Sequence, residues 1–224
     1  MLCIVPLVSS RIAKADEQHN QALSLLEQRL HQEGLISVQT LDPSIVVDLK
    51  YAKVDNFMKT NIYHSLSRAY LRPAPAEKLV RANQILKERH PHLRILVGDA
   101  VRPLSVQKEM WKLVAGTTQQ PYVANPKWGS MHNYGAAVDV TLFDVQAGKQ
   151  LDMGTPLDYF GPLAQPLLEN RFLQKGELNA SQLENRLILR KAMLNAGWHT
   201  INIEWWHFNA FPKAYIRKNY SKIK

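Results

Sequence analysis

The chain has 224 residues, 46% of them hydrophobic, which is enough for one domain with a full core. Its 28 Lys and Arg exceed 19 Asp and Glu for a net charge of +9, but they are scattered apart from a tail with Lys213, Arg217, Lys218, Lys222 and Lys224. Charge alone is a weak argument for nucleic acid, and none is expected as a partner. The single cysteine, Cys3, excludes an internal disulfide and leaves any metal to His and carboxylates, and no run of 18 apolar residues is present to span a membrane.

The chain opens with an apolar stretch, Leu2 to Val8, and then Ala13-Lys14-Ala15, the small-x-small pattern of a signal-peptidase cut. Residues 1–15 are therefore read as an export signal and 16–224 as the working domain, periplasmic or secreted. The missing basic residue before Leu2 keeps a cytoplasmic chain with an ordinary N-terminus as the alternative. Glu17 to Glu33 reads as a helix, with Leu23, Leu26 and Leu30 at helical spacing and Gly34 as the stop. Ile45 to Leu49 is β-branched and reads as a strand. Asn56 to Tyr70 reads as loop with a short helix. Pro75 opens a helix carrying Leu79, Ala82 and Leu86 and ending near His90-Pro91. Leu93 to Val97 is a strand closed by Gly98-Asp99, and Val106, Met110 and Leu113 mark the next helix. Thr117 to Gly129 is a polar loop and Ala137 to Leu142 an alternating strand. Ser181 and Glu184 form a capping box for a helix through Ala196, with Gly197 as the stop, and Ile201 to Phe208 is the last strand. Helices and strands mix without regular alternation, which predicts an α+β domain: a central antiparallel or mixed sheet flanked by helices.

Three segments carry chemistry. In Ser130-Met131-His132-Asn133-Tyr134-Gly135-Ala136-Ala137-Val138-Asp139, a loop histidine precedes a carboxylate set inside an apolar strand. A carboxylate between Val138 and Val140 is costly to bury unless paired or bound to metal; a half-exposed strand would simply turn it to solvent. The small residues Gly135 to Ala137 allow His132 to fold back beside Asp139. In Glu204-Trp205-Trp206-His207, His207 offers a third ligand and Glu204 a base. Both roles require a bend or bulge, because a flat strand puts residues three apart on opposite faces. In Gly98-Asp99-Ala100-Val101-Arg102-Pro103, Arg102 could meet an oxyanion, although a strand-end arginine is more often a salt-bridge partner. Of the other histidines, His19, His31, His64, His90 and His92 read as surface or loop residues, and His199, close to the last strand, as a surface or core residue, with support of the site as the alternative.

Together, in this order, these segments resemble the D-alanyl-D-alanine dipeptidases of the VanX type, within the zinc superfamily of lysostaphin, D-Ala-D-Ala peptidases and hedgehog-like domains. S-x-H-x-x-G-x-A-x-D appears at Ser130, His132, Gly135, Ala137 and Asp139, and E-x-W-H at Glu204, Trp206 and His207. Asp48 to Ala52, Asn56-Phe57, Arg102-Pro103 and Met153 to Asp158 extend the resemblance over roughly residues 44 to 210, leaving residues 1–35 and the basic tail outside. The resemblance implies one zinc per chain, in a cleft on the sheet, on His132, Asp139 and His207. It implies Glu204 as general base and acid, Arg102 as transition-state stabiliser, Asp158 beside the substrate ammonium and Ser130 in the substrate pocket. The implied reaction is hydrolysis of a small D,D-dipeptide through attack by metal-bound water, in cell-wall precursor or peptidoglycan turnover. The alternatives are a carboxypeptidase trimming D-Ala from peptidoglycan fragments, and a zinc-bearing binding module without turnover. Asn133-Tyr134 departs from the best-known members.

Overall fold

The computed structural model describes residues 24–224. The signal reading of residues 1–15 and His19 fall outside them. The first described helix, α1 (Leu25–Gln32), starts at an extended Ser24, so the predicted helix over 17–33 does not run unbroken through that residue. Ser24 caps it: the hydroxyl accepts from Glu27 N at 3.2 Å while Ser24 N donates back to the Glu27 carboxylate at 3.1 Å. Gly34, at φ 78°, ends it as expected. Two short elements follow, β1 (Ile36–Ser37) and α2 (Val38–Leu41), too brief to show a period in the sequence. β2 (Val46–Val47) is the core of the predicted strand at 45–49.

Residues 56–69 form turns without the expected short helix, and β3 (Tyr70–Leu71) then pairs antiparallel with β1. α3 (Pro73–Arg89) begins two residues before Pro75. Both prolines fit the first turn, whose N–H groups have no helical partner. Its Leu79, Ala82 and Leu86 are buried as predicted. β4 is Leu93–Asp99 and α4 is Leu104–Val114. In α4 the buried stripe is Val106, Met110 and Val114; Leu113 is 54% exposed, contrary to the expected face. β5 (Ala137–Asp144) and β6 (Lys149–Gln150) follow, then α5 (Glu169–Gln174) and α6 (Ala180–Asn195). The cap of α6 is Asn179 with Gln182, not Ser181 with Glu184. Both quartets fit the pattern, but Gln182 also donates to Asp152 at 2.8 Å, which ties this register to the rest of the fold. The predicted strand at 201–208 is broken: β7 is His199–Thr200, β8 is His207–Asn209, and residues 201–206 bend between them. α7 (Lys213–Asn219) closes the chain.

The main sheet runs β2-β4-β5-β8-β7, with β6 on β5. β2 is parallel to β4 and the other pairs are antiparallel, so the sheet is mixed and the fold is α+β, as predicted. α3 and α6 pack on each other, and both contact the sheet. Val138, Val140 and Leu142 of β5 join their core, fully buried, at about 1.5–3 kcal/mol for each large side chain. The pleat turns Asp139, between two of those residues, to the opposite face.

Candidate functional site

The site is built on the sheet register. Asp99 of β4 lies opposite Asp139 of β5, and Asp139 opposite His207 of β8, so three polar residues form a row across adjacent strands. The β4–β5 register shifts between Val97 and Asp99, at Gly98. A side chain at Gly98 would collide with Leu157, so glycine lets the segment bearing Asp158 press against the strand.

His132 reaches the row from a 3-10 turn, Met131–Tyr134. Ser130 opens the turn, its hydroxyl accepting weakly from His132 N at 3.4 Å, and the Asn133 side chain accepts from Ser130 N at 2.7 Å. Gly135 ends it at φ 66°, a conformation that costs a side-chain-bearing residue energy, and a Cβ there would press on Leu35 and Arg72. The turn is bolted to the end of β4: Arg102 N donates to His132 O at 3.1 Å and Asn133 Nδ2 to Arg102 O at 2.8 Å. Asn133, which departs from the familiar family pattern, is thus a structural clamp.

The hydrogen bonds assign the two imidazole tautomers. His132 Nδ1–H donates to Ala100 O at 2.7 Å, which leaves the Nε2 lone pair free. His207 Nε2–H donates to Asn209 Oδ1 at 3.0 Å, which leaves the Nδ1 lone pair free. These two nitrogens lie 3.1 Å apart, and Asp139 Oδ1 is 3.3 Å from His132 Nε2 and 3.0 Å from His207 Nδ1. Three acceptors facing one another in a buried space need a cation or protons between them. Their separations approach the edge, about 3.3 Å, of a tetrahedron with the ~2.0–2.1 Å bonds of zinc to nitrogen and oxygen. The donor set therefore fits a metal ion. Among the described residues it is the one His, Cys and carboxylate group close enough to hold one.

Burial opposes the charge on Asp139, but contacts with His132 and His207 outweigh it and hold the carboxyl well below its usual range. For His132, burial lowers the pKa, but Asp139 and Asp99 more than compensate and raise it. The same negative field would favour a bound cation, whose arrival displaces protons.

Glu204 stands in the bend before β8, its Oε2 3.9 Å from His207 Nδ1. The bend makes both roles of the Glu204–His207 pair compatible, as the sequence required. Burial, reinforced by the charges of Asp139 and Asp158, pushes the Glu204 carboxyl up to about 8, against the pull of His207 and Arg102. Trp205 holds the bend: its Nε1 donates to Thr155 Oγ1 at 2.8 Å, and the Arg186 guanidinium lies 5.4 Å from its ring.

Arg102 is both a salt-bridge partner and a site residue. Nε and Nη2 donate to Asp99 Oδ2 at 2.9 and 2.5 Å, and Nη1 donates to Gln107 Oε1 at 3.2 Å. Nη2 also lies 3.6 Å from Asp139 Oδ2, and the guanidinium sits 5.2 Å from the Tyr51 ring centre. Asp158 sits in a turn at φ 61°, beside Tyr51 in the cleft wall. Burial and the nearby Asp139 push its carboxyl up to about 6. Arg102, Ser130, His132, Asp139, Asp158, Glu204 and His207 all line one cleft of about 230 Å³. The structure thus brings every expected site residue together. Ser130 lines the cleft as well as capping its turn.

A family model described as D-ala-D-ala dipeptidase matches residues 31–224. The chain belongs to the D-ala-D-ala dipeptidase family. It is 29% identical to a D-alanyl-D-alanine dipeptidase of Escherichia coli (strain K12), over 80% of this chain and 86% of that protein. It is 24% identical to one of Enterococcus faecium, over 75% of this chain and 89% of the relative. A third, from Synechocystis sp., is 29% identical over 66% of this chain and 71% of its own. This dipeptidase-family chain is accordingly a peptidase, and its buried His132, Asp139 and His207 could hold a metal ion. The match includes the basic tail, which the motif resemblance left out. In the structure Ile223 is fully buried, its N–H donating to Asn133 O at 2.7 Å and its carbonyl accepting from Leu104 N at 2.8 Å.

Sequence reasoning missed the supports of the family site: Asp99 and Gln107 under Arg102, Tyr63, whose hydroxyl donates to Asp99 at 2.5 Å, and Asn209. Asn209 had a usable signal, lying two residues beyond His207 and so on the same strand face. The described histidines outside the cluster stand apart from it, and His31, His64 and His199 are exposed.

Proposed function

We propose that the chain is a zinc-dependent D,D-dipeptidase that hydrolyses D-alanyl-D-alanine in cell-wall precursor or peptidoglycan turnover. The observation that carries the reading is the convergence of His132 Nε2, His207 Nδ1 and Asp139 Oδ1 beside the buried Glu204 carboxylate. One zinc on these three ligands would keep a coordination position open, lower the pKa of water there to about 7 and polarise a carbonyl.

The chain's own residues supply the rest. Glu204 takes the proton of the attacking water and delivers it to the departing amine, work of about 10²–10⁴-fold in rate. Arg102 spends three of its five N–H donors on Asp99 and Gln107, leaving two for the oxyanion that develops from the scissile carbonyl. Asp158, with Tyr51, receives the substrate ammonium, and Ser130 borders the same pocket.

A specific observation favours a longer substrate as the second reading. Phe57, Tyr122, Trp128 and Phe160 extend the cleft wall, and Trp128 is 63% exposed. A carboxypeptidase acting on peptidoglycan stems would use such a wall, whereas a dipeptidase needs a free ammonium next to the scissile bond. The deciding assay compares zinc-loaded enzyme on D-Ala-D-Ala and N-acetyl-D-Ala-D-Ala, with chelation and zinc restoration as controls. The dipeptidase reading expects fast cleavage of the free dipeptide alone. Asp158→Ala should cost it about tenfold to a hundredfold, the worth of a charge-assisted hydrogen bond of ~1.5–3 kcal/mol. Equal cleavage of the acetylated compound would establish the carboxypeptidase instead. Export through residues 1–15 is part of the proposal and rests on Ala13-Lys14-Ala15.

A further inference from the structure

The cleft has a second charged pole outside the roles given above. Lys213 and Arg217 line it from α7, four residues apart and so on one helix face. Both are exposed, and among the described residues neither has an acidic partner, whereas the third lining cation, Arg102, is tied to Asp99. The helix that presents them is not loose. Ile216, between them, is fully buried against the cluster of Met131, Tyr134 and Ala137, the segment that also carries His132.

The sheet order separates the poles. Asp158 is grouped with Tyr51, Arg102 and Asp99, toward β4, whereas Lys213 also borders His199, Thr200 and Ile201, beside β7 at the far edge of the sheet, and Arg217 lies one helical turn further along α7. A free dipeptide is a zwitterion, with its ammonium on one side of the scissile bond and its carboxylate on the other. Resting on the dipeptidase reading, we infer that Lys213 and Arg217 form the subsite for the substrate's C-terminal carboxylate. The dipeptide then lies across the row with its ammonium toward β4 and its carboxylate toward α7. Two unpaired cations facing a cleft also draw an anionic group from solution, an attraction that salt weakens.

The test uses the full zinc-loaded chain, with Lys213→Gln, Arg217→Gln, the double variant and the charge-keeping pair Lys213→Arg and Arg217→Lys. Substrates are D-Ala-D-Ala and D-alanyl-D-alaninamide, which lacks the carboxylate. For D-Ala-D-Ala the double variant should raise KM roughly fivefold to thirtyfold with kcat held, the range expected for charge-assisted contacts partly screened by solvent. The charge-keeping variants should retain most of the wild-type KM. For the amide, wild type and double variant should behave alike, because the contact has no partner. Added salt should raise KM more for wild type than for the double variant. A wild-type KM in the double variant, or an equal loss on the amide, overturns the carboxylate subsite and leaves the dipeptidase reading standing. A wild type inert on both substrates overturns the dipeptidase reading and the subsite with it.

Discussion

Asp99→Asn is the most informative perturbation of the machinery under the site. The Asp99 carboxylate is buried and accepts four hydrogen bonds, from Ala100 N, the Tyr63 hydroxyl, and Nε and Nη2 of Arg102. Asparagine keeps the shape and one acceptor oxygen but turns an NH2 group toward a guanidinium, so donor meets donor and the charge of Arg102 loses its partner. Removing one member of a buried pair costs about 3–5 kcal/mol, chiefly because the other charge remains buried. Against a total stability of about 5–15 kcal/mol, the variant should fold but melt early. With a urea m-value near 2–3 kcal/mol/M, the midpoint should fall by about 1–2.5 M. A second effect follows from geometry. Arg102 Nη2 lies 3.6 Å from Asp139 Oδ2, so a released guanidinium would compete for that ligand carboxylate. Zinc affinity should drop about tenfold to a hundredfold, as when support for a ligand is lost. Urea titration with zinc titration against a competing chelator measures both. An unchanged midpoint together with unchanged zinc affinity would refute the reasoning.

Glu204→Gln should retain about one zinc per chain while turnover falls at least 10²-fold, since an amide cannot carry the proton; near-normal rates would mean that another base works. Asp42 gives a pH test of stability. Its burial opposes ionisation, but hydrogen bonds from Ser44 and Asn83 outweigh it and lower the folded pKa below 3.8. A depressed carboxyl stabilises above the unfolded pKa and loses that contribution as pH falls through the folded one. The stability advantage of wild type over Asp42→Asn should therefore be full near pH 6 and shrink as pH drops below about 4, read by urea titration across that range. The export proposal expects protein from the native cell to begin at Asp16, and N-terminal sequencing that finds Met1 on cytosolic material would reject it.

The sequence by itself determined the parts of this protein in which one residue pattern repeats. The apolar face of α3, the end of α6 at Gly197, the strands that start at Leu93 and Ala137, and the α+β class were legible because period and punctuation are local properties. The ligand set was legible for another reason: a histidine and a carboxylate around a run of small residues, with Glu204 and His207 near the end, match a known family order. The tertiary structure decided what local pattern leaves open. Val114 rather than Leu113 completes the stripe of α4, because packing and not spacing selects among neighbouring faces. The last strand gives way at 201–206, where the backbone must bring Glu204 and His207 to one site. The row of Asp99, Asp139 and His207 exists only in the pairing of β4, β5 and β8, whose partners are distant in sequence. The same distance hid Tyr63 beneath Asp99 and placed the basic tail at the cleft. Hydrogen bonds and charges act through a few ångströms of space, and no spacing along the chain records which groups folding will make neighbours.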